Sequence, residues 1–147
     1  MPYTYAKGMS LMEMLSILII LGVLSVVSIR AVMTTQNIRI DEARLSVLSA
    51  LALAQSRALT SMAKVRITAA ANTISIHVDQ NDDGNFASSE ALSKAGQSFP
   101  LSLPGGVAIS DASMTFEANG RTAATQLTLT QGAQSRLVSV SSTGYAN

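Results

Sequence analysis

At 147 residues and a formal charge of +1, the chain can hold one modest domain, or a smaller domain joined to a long helix. The near-neutral charge excludes binding of nucleic acid by bulk electrostatics, and the absence of cysteine excludes disulfides, thiolate metal sites and a cysteine nucleophile. Hydrophobic residues make up 48% and charged residues only 13%, and the apolar excess lies in the N-terminal part, so the composition already describes two parts.

From Met14 to Ile29 no residue is charged. Starting at Met9, the apolar run spans roughly 31 Å as a helix at about 1.5 Å per residue. That matches a bilayer hydrocarbon core of about 30 Å. Only Glu13 interrupts it. A secretory signal would need a small-residue cleavage site after the run, and Ser28-Ile29-Arg30-Ala31 is a poor one. A plain membrane anchor explains the length but not Glu13, since a carboxylate costs about 2.5–3.5 kcal/mol at a helix centre and less near its end.

Gly8-Met9-Ser10-Leu11-Met12-Glu13 resembles the type IV prepilin signal: a glycine, a hydrophobic residue, Ser or Thr, Leu, an aliphatic residue and Glu. Met9 stands where the family usually has Phe. The resemblance implies that a prepilin peptidase/methyltransferase cuts between Gly8 and Met9 and methylates the new amine of Met9. It also implies that Glu13 serves assembly by pairing with the N-terminal amine of a neighbouring subunit. The physics of the motif agrees. Gly8 lets extended backbone enter a protease cleft, Lys7 holds the leader on the cytoplasmic side, and an intramembrane carboxylate calls for a cationic partner.

Residues Gln36 to Met62 carry helical periodicity, with Leu48, Leu51, Ala52, Gln55 and Leu59 on one stripe and Val47, Ala54, Ala58 and Met62 alongside. Asp41 and Glu42 near its start, and Arg57 and Lys64 near its end, suit the helix dipole. Strands follow. Lys64–Thr68 alternates with Val65 and Ile67 inward, and Thr73–Val78 with Ile74, Ile76 and Val78 inward. Gln126–Thr130 and Arg136–Val140 form a hairpin across Gln131–Gln134. Val107–Ile109 and Met114–Phe116 are weaker strands, and Pro100–Gly106 reads as a loop. The pattern predicts an α+β fold, a long N-terminal helix packed on a mainly antiparallel sheet.

Three segments, Ala54-Gln55-Ser56-Arg57-Ala58, Met114 to Arg121 and Ser142-Thr143-Gly144-Tyr145, stand in an order similar to the GspH/FimT branch of minor pilins and pseudopilins. The resemblance implies a leader at residues 1–8, a transmembrane and assembly helix at 9–30, an amphipathic helix at 31–63 and a β-rich periplasmic head at 64–147. It implies a single-pass inner-membrane precursor that joins a pilus or a type II secretion pseudopilus. Its partners would be other pilin subunits, the prepilin peptidase and an inner-membrane assembly platform. The alternative is a DNA-binding minor pilin of an uptake pilus. Only Arg121 and Arg136 are available for that near the C-terminus, too few for a strong phosphate footprint, so nucleic acid is not an expected partner.

Asp79 to Glu90 fits the calcium-loop pattern D-x-[DN]-x-[DN]-G-x₅-E at every fixed position. Asp79, Asn81 and Asp83 would offer side-chain oxygens, Asn85 its carbonyl and Glu90 a bidentate carboxylate. The loop follows a strand instead of a helix, and Asp, Asn and Gly are also what an ordinary polar turn uses. No cofactor is required, and calcium is the one candidate. His77, the single histidine, falls on the polar face of its strand, so neither a zinc site nor a Ser-His-acid triad can be composed and no enzyme is expected.

Overall fold

The structure, a computed structural model of the chain, describes residues 10–94 and 97–147, with side chains described outside 26–36, 94, 97 and 98. The chain divides into two compact units, Met1–Thr35 and Gln36–Asn147. The first helix, α1, runs Leu11–Ser61. Ser10 starts it. Its Oγ accepts the Met12 N–H at 3.4 Å, and its carbonyl accepts the N–H groups of Glu13 and Met14 at 3.0 and 3.1 Å. Ser10 is thus an N-cap with Glu13 at the third helical position, the spacing of a capping box.

In the first unit, the large apolar side chains from Leu11 to Val23 are exposed on every side of the helix, from 42% at Ile17 to 84% at Leu11. The hydroxyls of Ser16 and Ser25 fold back onto the carbonyls of Met12 and Leu21 at 2.8 and 2.7 Å, which hides the polar groups inside this apolar surface. Among the described residues, no helix is long and apolar enough to cross a membrane. The remainder of the run, up to Ile29, lies among residues whose side chains are outside the described set.

The second unit holds the core. β1 (Val65–Ala70) and β2 (Thr73–Val78) form a hairpin, flanked by β5 (Leu101–Ser102) on β2 and β7 (Ala112–Phe116) on β1. β8 (Thr125–Gln131) and β9 (Gln134–Val140) form a second hairpin, which β6 (Ala108–Ile109) extends on the β8 side. β3 (Ser93–Lys94) and β4 (Gln97–Ser98) make a separate small pair. All pairings are antiparallel. Alternation puts Val65, Ile67, Ile74, Ile76, Val78, Met114 and Phe116 of one sheet, and Leu127, Leu129, Val138 and Val140 of the other, into one core. Each large side chain so buried stabilises by about 1.5–3 kcal/mol.

The strands expected from alternation are present, and the expected inward residues are buried. Two expectations are corrected. β5 lies inside the segment read as a loop, because Leu101 and Ser102 pair with Ile74 and Thr73 although Pro100 and Pro104 flank them. The buried face of α1 is Ile40, Ala43, Val47, Ala50, Leu51, Ala54 and Ala58, whereas Leu59 is 51% exposed and Ala52 is also exposed. Apolar residues stand on more than one side of this helix, and the alanine-rich side wins because small side chains let the helix approach the sheets. No basic residue lies in the last turn of α1.

No glycine or proline ends α1. Met62 does so by adopting φ +50° with its side chain 83% exposed. A left-handed conformation costs a residue with a Cβ about 1–2 kcal/mol, and glycine escapes most of that. Met62→Gly is therefore expected to stabilise the head by about 0.5–1 kcal/mol after the entropy loss of glycine is counted. Denaturant melts of the two proteins check this, and a lower midpoint for Met62→Gly would refute it.

Candidate functional site

The three segments singled out in the sequence meet at one side chain. Gln55, on α1, donates from Nε2 to the carbonyl of Gly120 at 3.1 Å and to that of Thr143 at 3.0 Å. Gly120 closes the turn after β7, where its N–H reaches the Glu117 carbonyl at 2.7 Å and Glu117 N–H reaches the Arg121 carbonyl at 2.8 Å. Gly144 closes the turn after β9, donating to the Ser141 carbonyl at 2.9 Å. Beyond it the chain folds back on β9, with Ser139 and Asn147 exchanging N–H to carbonyl bonds at 2.9 and 3.0 Å. Helix, β7–β8 turn and C-terminal turn are thereby pinned together.

The two glycines differ in what they tolerate. Gly120 has φ +75°, and a Cβ there would meet only the side chain of Leu59, nearest at 3.0 Å. Gly144 has φ +85°, and a Cβ there would collide with the Gly120 carbonyl oxygen and with Gln55 Nε2. Leu59 is half exposed and can move, but a backbone carbonyl cannot. Gly120→Ala is expected to cost about 1–2 kcal/mol, the left-handed penalty alone. Gly144→Ala is expected to cost about 4 kcal/mol or more, because it also breaks the Gln55 bonds and leaves two carbonyls unpaired. Equal destabilisation of the two variants in urea melts would refute this account.

The family model for the type II transport protein GspH matches residues 43–144. The chain belongs to the GspH family. That span contains all three segments joined by Gln55. Among solved structures, the chain is similar to the type IV minor pilin FimU of Pseudomonas aeruginosa strain PAO1 in two crystal forms. One has a TM-score of 0.56 at 18% identity, covering 77% of this chain and 90% of that chain. The other has a TM-score of 0.50 at 17% identity, covering 73% and 90%. At such identity the likeness shows the fold, which is that of a GspH/FimT-like type IV pilin. No curated protein matches the chain.

Of the residues assigned to processing, Gly8 and Met9 lie outside the described residues. Glu13 lies in the first turn of α1 and is exposed. Its second possible role was legible too, as Ser10-Leu11-Met12-Glu13 is a capping-box sequence. Arg136, one of the two basic residues weighed for DNA contact, donates from Nε to Asp41 Oδ1 at 2.9 Å and so ties β9 to α1. With both side chains more than a third exposed, this pair is worth little on its own.

The acidic loop is closed by its own backbone. Asp79, 2% exposed, accepts the N–H of Asp83 on Oδ1 at 3.2 Å and that of Gly84 on Oδ2 at 3.1 Å. Glu90, 8% exposed, accepts Gln80 N–H on Oε1 at 3.1 Å and Ala87 N–H on Oε2 at 3.0 Å. Asn81 donates to Asp83 Oδ2 at 2.9 Å and accepts the Asp83 N–H at 3.2 Å, and Asn85 N–H donates to Asp83 Oδ1 at 2.7 Å. Phe86 lies under the Arg66 guanidinium, 3.9 Å from ring centroid to Cζ, so the loop is also clamped to β1. Among the described residues, no group of three His, Cys, Asp or Glu is placed to hold a metal ion. His77 is half-buried on the polar side of β2.

The Asn85 N–H holds the Asp83 carboxyl below its ordinary value. A depressed carboxylate contributes stability that is present above its unfolded value and lost as pH falls through the folded one. Acid should therefore loosen this loop, and Asp83→Asn should flatten the acid limb of the stability curve. Asp79→Asn replaces an acceptor by a donor facing the Gly84 N–H and is expected to cost about 1–3 kcal/mol. A loop closed by amides melts at the same temperature in chelator and in millimolar calcium. A calcium-dependent rise in wild-type Tm, absent from Asp83→Ala, would instead make the loop a calcium site.

Proposed function

We propose that this GspH-family chain is a minor pilin or pseudopilin that is cleaved between Gly8 and Met9, methylated on Met9, and assembled into or at the tip of a type IV pilus or secretion pseudopilus. Before assembly, residues 9–30 hold it in the inner membrane with the head on the periplasmic side. The observation that carries this is a helix segment apolar on every side from Leu11 to Val23, bearing one carboxylate, Glu13, in its first turn. A helix apolar all round is a buried one, in lipid or among other helices. After cleavage the same surface serves both settings: lipid for the precursor, neighbouring helices for the filament. In the second setting Glu13 pairs with the amine of an adjacent subunit, which gives register as well as adhesion.

The apolar surface does not stop at the head. Ile38 and Leu45 are both 63% exposed and Leu59 51%, at intervals of seven or fourteen residues along one outward line of α1. That spacing suits helix-on-helix contact, and it adds support for association with like subunits.

Intact-mass measurement of membrane-extracted protein is expected to show loss of Met1–Gly8 and one methyl group on Met9. A mature N-terminus near Ala31 would mean a secretory signal and end the proposal. Glu13→Leu is expected to insert and be cleaved normally, since it removes an expensive carboxylate from the span. Its recovery with the other subunits should collapse, because an unpaired amine left in a low-dielectric core costs about 3–5 kcal/mol. Wild-type stoichiometry for a cleaved and inserted Glu13→Leu protein would remove Glu13 from the docking step.

A further inference from the structure

One strand pairing in the head stops early. β6 pairs with β8 at Ala108↔Thr130 and Ile109↔Leu129, and the Ser110 N–H extends the ladder to the Thr128 carbonyl at 2.9 Å. Continued in register, that ladder would set Ser113 opposite Thr125 and Thr115 opposite Ala123. Instead the chain changes sheets at Asp111. Its Oδ1 accepts the Ala71 N–H at 3.2 Å while Ile109 N–H holds the Ala71 carbonyl at 2.7 Å, and β7 goes on to pair with β1. The residues that would have paired now line a cavity of about 350 Å³, together with Thr122.

Both flanks of the cavity are strand edges. In an antiparallel ladder, alternate residues turn their N–H and C=O groups to opposite sides. The two-residue turn between Ala70 and Thr73 sets the phase, so Ala69, Ile67 and Val65 turn toward β7 and meet Ala112, Met114 and Phe116. That leaves the backbone groups of Ser113 and Thr115 directed to the cavity side. The turn between Gln131 and Gln134 sets the phase of β8 in the same way, directing the backbone of Gln126 away from β9 and toward the same side. A second, independent observation lies in the lining. Thr122 is only 9% exposed, and its Oγ1 is buried with no hydrogen-bond partner. Buried hydroxyls are nearly always satisfied, so one that is not is informative.

We propose that this gap is a slot for an extended segment of a neighbouring subunit, which adds to β7 as a strand, bonds to the backbone of Ser113 and Thr115, and satisfies the Thr122 hydroxyl. The identity of the partner rests on the assembly role proposed above. The chemistry of the occupant rests on the slot itself. Alternating donors and acceptors along two edges are matched by peptide backbone and by little else. With about 3.3 Å of rise, 4.8 Å between strands and 10 Å between sheets, the cavity admits roughly two residues. Their side chains are therefore small. The added strand would bridge the two sheets and give the neighbour a fixed register on this head.

Amide hydrogen exchange on the full-length chain, in assembled material and unassembled in detergent, tests this directly. The amides of Ser113, Thr115 and Gln126 are expected to slow at least about tenfold on assembly, the effect of one added hydrogen bond. Ser113→Pro removes an outward edge N–H without touching the β1 ladder, so it should keep its Tm and lose about tenfold in recruitment. Thr122→Val should raise the Tm of the unassembled chain yet lower recruitment, a reversal of sign that a purely structural role would not give. Assembly with unchanged exchange at the three amides, or with wild-type recruitment of Thr122→Val, would overturn the slot while leaving the pilin role intact. A chain that joins no assembly at all would overturn both.

Discussion

The head depends on one neutral side chain that holds two turns. The inner face of α1 is largely alanine, at Ala43, Ala50, Ala54 and Ala58. Such a face packs closely but is smooth, and close packing of small groups gives adhesion with little discrimination between neighbouring registers. Gln55 supplies the discrimination. Its amide must reach the Gly120 and Thr143 carbonyls at once, and a shift of the helix by one residue would lose both bonds. Each bond contributes only about 0.5–1.5 kcal/mol net, but leaving the carbonyls unpaired costs more than making the bonds returns. The requirement for close approach then explains the glycines, since Gly144 lies where any Cβ would strike both Gln55 and Gly120.

The same economy of polar groups appears at both ends of the chain. At the start of α1, Ser10 caps the helix, and Glu13 sits where the helix dipole favours a negative charge. A carboxylate so placed is stabilised before any partner arrives, which suits a group that must wait in a membrane. In the acidic loop, Asp79 and Glu90 are buried but each accepts two backbone N–H groups, so the loop needs nothing from outside to hold its shape. The slot between the sheets is the opposite case: an edge and a hydroxyl whose needs the head itself does not meet.

The sequence made the class and most strands legible because period-two alternation is hard to imitate. Ile74, Ile76 and Val78 were inward in the pattern and are buried in the fold. The helix face was harder to read. With apolar side chains on several sides of α1, periodicity could not separate the stripe through Leu59 from the one through Ala58, and only the closeness of the sheets decides between them. The two-residue strands were hidden for another reason. β5 is made by its partner, β2, and nothing in Leu101-Ser102 between two prolines announces it. The end of α1 was invisible because Met62, a residue without turn propensity, takes the left-handed cap. Of the candidate site, Gln55, Gly120 and Gly144 were visible as segments of a family order, but not as one node, because their meeting is a property of tertiary structure.

That node has a consequence for the timing of biogenesis. Gln55 lies 88 positions before Thr143, so the polypeptide must be nearly finished before the helix can be locked in place. At about 5–20 residues per second, a ribosome needs roughly 4–18 s to bridge that interval. Throughout it, the N-terminal segment is already made while the head cannot yet settle, and the closure of so long a loop is entropically slow as well. Competence to join a neighbour is therefore coupled to completeness of the chain. A ribosome that stalls before Thr143 releases a product with an adhesive N-terminal segment but no settled head, and it is marked for quality control by its own exposed alanine face.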